Sequence, residues 1–471
     1  MKRVMLIFMF LVFILYCVPA RAGGGEPTVK ELMEEIRSLK ARVAELEAKV
    51  SEQSMPPKGT AAEGAQQGKP EGPIIKKFHE REVPIEKGGI HVDHKRQISE
   101  VLEWEGFRIG ANVTAIVQGT PNANNAGADE DSRFDGSWKG DIDIEHRFAD
   151  WGRAFIELEI GQGDTLNGEM ALFSIVNNNA NDTGADVIGN KFYYEQYLFD
   201  KQFTVTAGKL DPTDYFDDNK YANDDTSQFL GGLFNNSPVL EWPSDNAFGL
   251  RAEVSPKSAE FLVLSAGFFE GDANWEDVFE GGVYIGQVNL RPATLFGADP
   301  EQYEGNYRFY GWVNDRFHTK LTELGQAESS DNKEINYGFG LTWDQMVTDV
   351  FGFFTRCGWQ RPDLIPADGG PTVEWMWSAG AQMTGKYWNR EEDVIAVAVG
   401  QLFPSEEYKR AADAGFAEGH FEAYYRCQLN PYLGISPDFQ VIWNPNGIGK
   451  SSPQGDHQTI FVYGARAHLD F

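Results

Sequence analysis

Eight charged residues carry the most pointed chemistry in this sequence: Arg147, Arg153, Glu157, Arg251, Glu253, Arg356, Glu422 and Arg426. They stand at alternate positions in short segments whose intervening residues are apolar. With Asp143, Glu145 and Glu159 they form one set. A guanidinium donates in a fork that holds two hydroxyls at once, and a carboxylate accepts from them. Such groups opposed on neighbouring strands orient dipolar, hydroxyl-rich solutes without demanding net charge. Hydration of a wet wall and cross-strand bracing accounts for most of the set, so about two to four of its members are expected to touch solute, arginines first. This is recognition without covalent chemistry. No Ser-His-acid combination stands at a recognisable spacing, the chain holds only eight His, and no catalytic residue or cofactor is expected.

Other constellations are weaker. Asp211 to Asp225 holds Asp211, Asp214, Asp217, Asp218, Asp224 and Asp225 with Asn219 and Asn223. It reads as an inward-folding constriction loop, a cation loop, or a hydrated loop anchored by Tyr215, Phe216 and Phe229. The calcium-loop spacing with its central glycine is missing. His91-Val92-Asp93-His94 lacks further ligands at a standard spacing. No metal site is therefore expected. Trp242 and Trp312 offer rings for stacking or for packing. Cys357 and Cys427 share parity with apolar neighbours, which predicts outward-facing free thiols on non-adjacent strands rather than a bridge.

The elements that must position these residues have a period of two. Ile142, Ile144 and Phe148 alternate with Asp143, Glu145 and Arg147. Ile156, Leu158 and Ile160 alternate with Glu157 and Glu159, and Phe248, Leu250, Ala252 and Val254 with Arg251 and Glu253. In the last segment Phe461, Tyr463, Ala465, Ala467, Leu469 and Phe471 share one face, with Arg466, His468 and Asp470 on the other. This is the pattern of strands with one apolar and one polar face. Sixteen candidates run from Phe107–Gln118 through Gly140–Phe148, Phe192–Phe199 and Phe421–Leu429 to Thr459–Phe471. Some links are tight, as at Ala149-Asp150-Trp151 and Asn430-Pro431; others are long.

The N-terminal quarter differs. Residues 1–22 read as an export signal: Lys2 and Arg3, an apolar run from Val4 to Val18, then Ala20-Arg21-Ala22. Residues 23–55 hold a heptad pattern, with Val29, Ile36, Val43 and Val50 interleaved by Leu32, Leu39 and Leu46. That stripe predicts a coiled-coil helix and a homo-oligomer, as a dimer or a trimer. Residues 56–104, rich in Pro, Gly and Gln at their start, read as a linker. Across 471 residues, 41 Lys and Arg against 71 Asp and Glu leave a net charge of −30. A field of that sign repels phosphate backbones and excludes nucleic acid as a partner.

A soluble sandwich and a membrane barrel both alternate. Export, a terminal strand ending on Phe471, and aromatic clusters at Tyr193-Tyr194, Trp375-Met376-Trp377, Tyr387-Trp388 and Tyr424-Tyr425 favour the barrel, whose rings sit at the lipid interface. The expected fold is an all-β transmembrane barrel of about 16 antiparallel strands over residues 105–471, preceded by the coiled-coil helix and linker.

Further motifs follow in order: Gly208-Lys209-Leu210-Asp211, Phe216-Asp217-Asp218-Asn219, Tyr221-Ala222-Asn223-Asp224, Gln228-Phe229-Leu230, Trp388-Asn389-Arg390, and the run from Ala396 to Gln401. Phe421-Glu422-Ala423-Tyr424-Tyr425-Arg426, Pro437-Asp438-Phe439-Gln440, Asn444-Pro445-Asn446-Gly447 and Gly464-Ala465-Arg466 complete the series. From Phe107 to Phe471 the chain resembles the carbohydrate-selective porins of Gram-negative outer membranes. The resemblance implies a sixteen-stranded barrel in outer-membrane lipid that passes small sugars and other hydrophilic solutes by facilitated diffusion. A general or cation-selective porin, or an envelope-tethering barrel, is the alternative. The heptad segment departs from the family pattern and would lie in the periplasm.

Overall fold

The computed structural model describes residues 102–104, 106–123, 132–299, 303–323, 334–369, 372–412, 415–447 and 459–471. The expected signal segment, the coiled-coil helix and most of the linker lie outside the described residues. A three-residue strand, β1 (Leu102–Trp104), falls at the end of the segment read as linker and pairs with the start of β2.

Sixteen longer strands follow in a meander. They are β2 (Phe107–Thr120), β3 (Arg133–Phe148), β4 (Gly152–Gln162), β5 (Ile188–Leu198), β6 (Phe203–Leu210), β7 (Ala247–Val254), β8 (Leu262–Glu270) and β9 (Gly282–Leu290). Then come β10 (Gly305–His318), β11 (Glu334–Met346), β12 (Phe351–Gln360), β13 (Val373–Gly385), β14 (Arg390–Pro404), β15 (Glu418–Asn430), β16 (Leu433–Trp443) and β17 (Ile460–Asp470). Each pairs antiparallel with its sequence neighbours. β17 returns to β2, from Tyr463↔Gly119 to Asp470↔Asn112, closing a 16-strand barrel. In hydrocarbon an open edge would strand backbone N–H and C=O groups, so closure is what makes the sheet viable there. Connections alternate: 149–151, 199–202, 347–350, 386–389 and 431–432 are tight, whereas 163–187 and 211–246 are long.

Strand polarity follows the alternation. On β2, Asn112, Thr114 and Gln118 are buried inward, while Val113 and Val117 point out. On β11, Ile335, Tyr337 and Phe339 point out and Asn336, Thr342 and Asp344 in. Cys357 and Cys427 are free, half-exposed thiols, on β12 and β15. The expected Gly140 start of β3 is late by a turn of sequence. The strand already begins at Arg133, where Gly136 and Ser137 blur the alternation.

Two aromatic assignments are corrected. Tyr193 and Tyr424 face the interior, Tyr424 packed on Phe229 at 5.1 Å between ring centroids. Outward rings form a girdle instead. Phe339, nearer mid-strand, packs against Trp359 and Trp375, and Tyr337, Trp359 and Trp375 cluster near the long-loop end. Phe148, Trp151 and Tyr194 do so near the tight turns.

Because Phe339 sits mid-strand on the outer face with about half its surface exposed (51%), Phe339→Arg is expected to cost about 2–4 kcal/mol at the bilayer midplane. Reversible unfolding in lipid measures this; an unchanged free energy would place Phe339 off the lipid.

Candidate pore constriction

Two long connections fold into the lumen. Residues 211–246 leave the barrel after β6. A 3-10 turn at Pro212–Asp214 is capped by Asp211, whose carboxylate accepts from the Thr213 N–H at 2.8 Å. The connection is then fastened to the wall by three buried arginines. Arg356 on β12 pairs with Asp217 at 3.2 Å and donates to the carbonyl oxygens of Asp217, at 2.9 Å, and Phe234. Arg308 on β10 grips Asp218 at 2.7 and 2.8 Å and Asp344 at 2.6 Å. Arg466 on β17 donates to the carbonyls of Asp225 and Gln228 at 3.0 and 2.7 Å. Glu422 on β15 accepts from the Leu230 and Gly231 N–H groups at 2.6 and 2.8 Å.

Apolar packing completes the seat. Tyr221, Phe229, Leu233 and Phe234 of the connection meet Phe354, Met376, Ala396, Ala398 and Leu402 on the inner faces of β12–β14. A Cβ at Gly352 or Gly358 would overlap Tyr221 or Val239, so these wall glycines act as sockets. Phe216, Leu240 and Trp312 form a second cluster with Phe269, Ile285 and Tyr310. Trp312 therefore packs rather than stacks on solute, and Trp242 lies against the same cluster. Burial of each such side chain contributes about 1.5–3 kcal/mol.

The second connection, 163–187, is tied to the wall and to the first. Glu418 accepts from the Phe173 and Ser174 N–H groups at 2.9 and 3.1 Å. Gln118 and Gln440 both donate to the Val176 carbonyl, at 3.0 and 2.9 Å. Asn178 and Asn179 donate to Asp225 at 3.0 and 2.9 Å, coupling the two connections.

A cavity of about 110 Å³ lies between the connection 211–246 and the inner face of β3–β5. Glu157, Asp143, Lys139 and Lys191 line it, with Phe155 and Tyr193 beside them. Register sets like charges opposite: Asp141 faces Glu159 and Asp143 faces Glu157. Such pairs repel unless bridged. Lys191 bridges Glu157 and Asp214 at 3.2 and 3.0 Å, Lys139 lies 3.7 Å from Glu159, and Asn190 donates to Glu157 and Glu159 at 2.8 and 2.9 Å. Asp141, Glu157 and Glu159 bring carboxylate oxygens within 4.8 Å of one another.

The eight singled-out residues divide accordingly. Glu157 lines the cavity. Arg153 stands one layer away, beside Glu145 and Glu195 at 3.4 and 3.6 Å and donating to the Tyr193 hydroxyl at 3.1 Å. Arg251 pairs with Glu253 and lies over the Tyr215 ring at 4.6 Å. Arg147 pairs with Glu145 at the tight-turn mouth, its side chain about half exposed. Arg426 lies on the inward register of β15, two residues past Tyr424. Arg356 and Glu422 are both fully buried beneath the connection they hold. Sequence reasoning missed Arg308 and Lys191. Each stands in a strand whose inner residues include Tyr or Trp, which masks the charged parity. Arg466 was placed on the polar face but not at the site.

The Asp-rich stretch is the inward connection: Asp217 and Asp218 pair with Arg356 and Arg308, Asp214 with Lys191, and Asp211, Asp224 and Asp225 accept hydrogen bonds from Thr213, from Thr226 and Ser227, and from Asn178 and Asn179. Burial pushes Asp217 up to about 6, with Arg356 and the Ser237 N–H pulling the other way. Burial also works against ionised Asp224, but Thr226 and Ser227 hydroxyls at 2.6 and 2.7 Å and the Thr226 N–H at 2.8 Å hold it down to about 2.

A closed barrel with inward connections and a polar cavity between them and the wall points to a channel protein. Residues 129–471 match the model of the carbohydrate-selective porin, OprB family, and the chain belongs to that family. An uncharacterized protein of Aquifex aeolicus (strain VF5) is 38% identical over 172 residues, covering 36% of this chain and 48% of that protein. The chain thus spans about half the length of that relative. The high-pH structure of Pseudomonas putida OprB is similar in fold, with a TM-score of 0.62 at 15% identity over 78% of this chain and 94% of that one. The outer-membrane channel DcaP of Acinetobacter baumannii gives 0.49 at 11% identity, over 78% and 97%. Family and barrel together indicate the outer membrane of Gram-negative bacteria.

Two predictions follow from the seated connection. Arg356→Ala strands Asp217 in a fully buried site, a loss of about 3–5 kcal/mol for breaking such a pair. It is expected to free the connection and raise single-channel conductance severalfold; an unchanged conductance would show that Arg356 does not hold the constriction. Asp224, held below the 3.8 of an unperturbed Asp, stabilises the seat above about pH 4, and that stability is lost as the pH falls through about 2. Conductance noise should rise over this window, and Asp224→Asn should abolish the transition. A transition of the same size in the variant would assign it to another group.

Proposed function

We propose that the chain is an outer-membrane porin for facilitated diffusion of sugars and other small hydrophilic solutes. The observation that carries this reading is the cavity along β3–β5. Two connections fold into the lumen, and the cavity between the first of them and β3–β5 is lined by hydrogen-bonding side chains with a pair of aromatic rings. A pore formed by sixteen strands is wide enough to carry water, and its narrowest polar stretch sets what crosses. Glu157 contacts solute, assisted by Arg153 through Tyr193. Arg251 and Glu253 brace the neighbouring wall, and Arg147 and Arg426 serve the inner surface away from the constriction.

The heptad at Val29–Val50 supports a homo-oligomer joined by helices in the periplasm, after removal of residues 1–22 and across a linker ending near residue 104.

Single-channel current of the protein in a planar bilayer tests the reading. Glucose and a disaccharide are expected to reduce the current saturably. Steady current at all sugar concentrations would favour a general porin, and absence of any current would favour the envelope-tethering role.

A further inference from the structure

Four neighbouring strands are shorter than the rest of the wall. β6 and β7 have eight residues each and β8 and β9 nine, whereas the other strands of the closed barrel have ten to sixteen. At about 3.3 Å per residue and a tilt of about 40°, eight or nine residues rise roughly 20–23 Å, short of the ~25 Å apolar band that a membrane barrel shows to lipid.

The connection 271–281, between β8 and β9 at the long-loop end, lies over that short sector. The connections 163–187 and 211–246 fold inward, but this one turns outward. Its Trp275 stacks on Phe192 of β5 at 5.4 Å between ring centroids and 23°, and meets Phe248 of β7 edge-on at 5.6 Å. Its Phe279 stacks on Phe268 of β8 at 5.5 Å and 29°, and meets Phe248 edge-on at 6.0 Å. Phe248 shares the outer face with exposed Leu250, and Phe268 with exposed Leu264. The two loop rings remain open, Trp275 at 43% exposure and Phe279 at 66%.

The loop is held in this shape. The Gly271 N–H donates to the Gly281 carbonyl at 3.0 Å, and buried Glu270 accepts from the Trp275 N–H at 2.6 Å. Ala273, Trp275 and Asp277 have φ of 55°, 66° and 50°, a left-handed region that residues with a Cβ rarely adopt. Between and beside the rings, Asp272, Glu276, Asp277 and Glu280 are exposed. Large rings interleaved with carboxylates suit a boundary that is apolar on one side and wet on the other.

We propose that 271–281 is a lipid-facing flap that completes the apolar band over β6–β9, seating Trp275 and Phe279 between the acyl chains and the head groups of the outer leaflet. Its occupant is lipid, because the rings continue the outer surface of Leu250, Leu264 and Tyr284, which is the face the barrel turns to the bilayer. Without the flap, the short strands would meet the hydrocarbon only by thinning it.

The test uses the full chain in phosphatidylcholine vesicles. Emission from Trp275 is the difference between wild type and Trp275→Phe, which keeps a ring at the site. Lipid brominated near the top of the acyl chains should quench that emission about twofold, more than lipid brominated near the chain ends, while acrylamide in the water leaves most of it. Trp275→Ser combined with Phe279→Ser tests the band itself. Its loss of stability should grow as the acyl chains lengthen, because mismatch grows with thickness. A cost independent of chain length overturns the band-completing role. Quenching of Trp275 by acrylamide and not by lipid places the loop in water and overturns the proposal. Protection from both quenchers assigns the face to a second copy and overturns it as well. The quenching comparison stands even where the double variant fails to insert. Trp138, Trp375 and Trp377 are exposed on the outer wall and report the bilayer separately; bromine that quenches none of the emission overturns the membrane barrel together with the proposal.

Discussion

Closure of the sheet is the constraint from which the rest descends. A membrane offers no water to an unpaired strand, so β17 must find β2, and the register from Tyr463 to Asp470 supplies that seam. Once sixteen strands close, the interior is too wide for side chains alone to fill. The lumen must be wet, or it must be occupied by the chain itself. Here it is both. Two connections enter and pack against one part of the wall, and the opposite part keeps its polar surface.

This division explains why the inner wall has two chemistries. From β12 to β14 it carries Phe354, Met376, Ala396, Ala398 and Leu402, which suit a protein-filled interior. From β3 to β5 it carries carboxylates and lysines in register. The buried arginines that hold the connection stand on three strands, Arg308 on β10, Arg356 on β12 and Arg466 on β17. Arg356, Arg308 and Arg466 each satisfy carboxylates or carbonyl oxygens that would otherwise be stranded away from solvent. Their removal from water is compensated by several charge-assisted bonds at once, which a lone surface pair would not provide.

Strands were legible because period-two alternation is local, and every expected segment corresponds to a strand. The family was legible from motifs that run in order along the chain. Which arginines hold the connection was not. Arg356 has the same inward parity as Arg251, and only the fold reveals that one meets Asp217 and Phe234 while the other lies over Tyr215. The run Ala396-Val397-Ala398-Val399 hid its inner face for a related reason: both sides of β14 are covered, one by the inward connection and one by lipid. The Asp-rich stretch showed its aromatic anchors, Tyr215, Phe216 and Phe229, but its many carboxylates concealed that the arginines they meet lie on β10 and β12, far ahead in the chain.

Those separations bear on the order of assembly. The carbonyl of Phe234 meets Arg356 across 122 residues, the N–H of Leu230 meets Glu422 across 192, and the N–H of Phe173 meets Glu418 across 245. These three wall partners are synthesised after the segments they receive, although Gln118 of β2, which also holds the Val176 carbonyl, comes before, and the glycine sockets at Gly352 and Gly358 exist only once β12 lies in the sheet. Neither connection can therefore seat until the strands that carry its partners are in place. The barrel is built around an interior not yet filled, and its narrowing is among the last steps of folding.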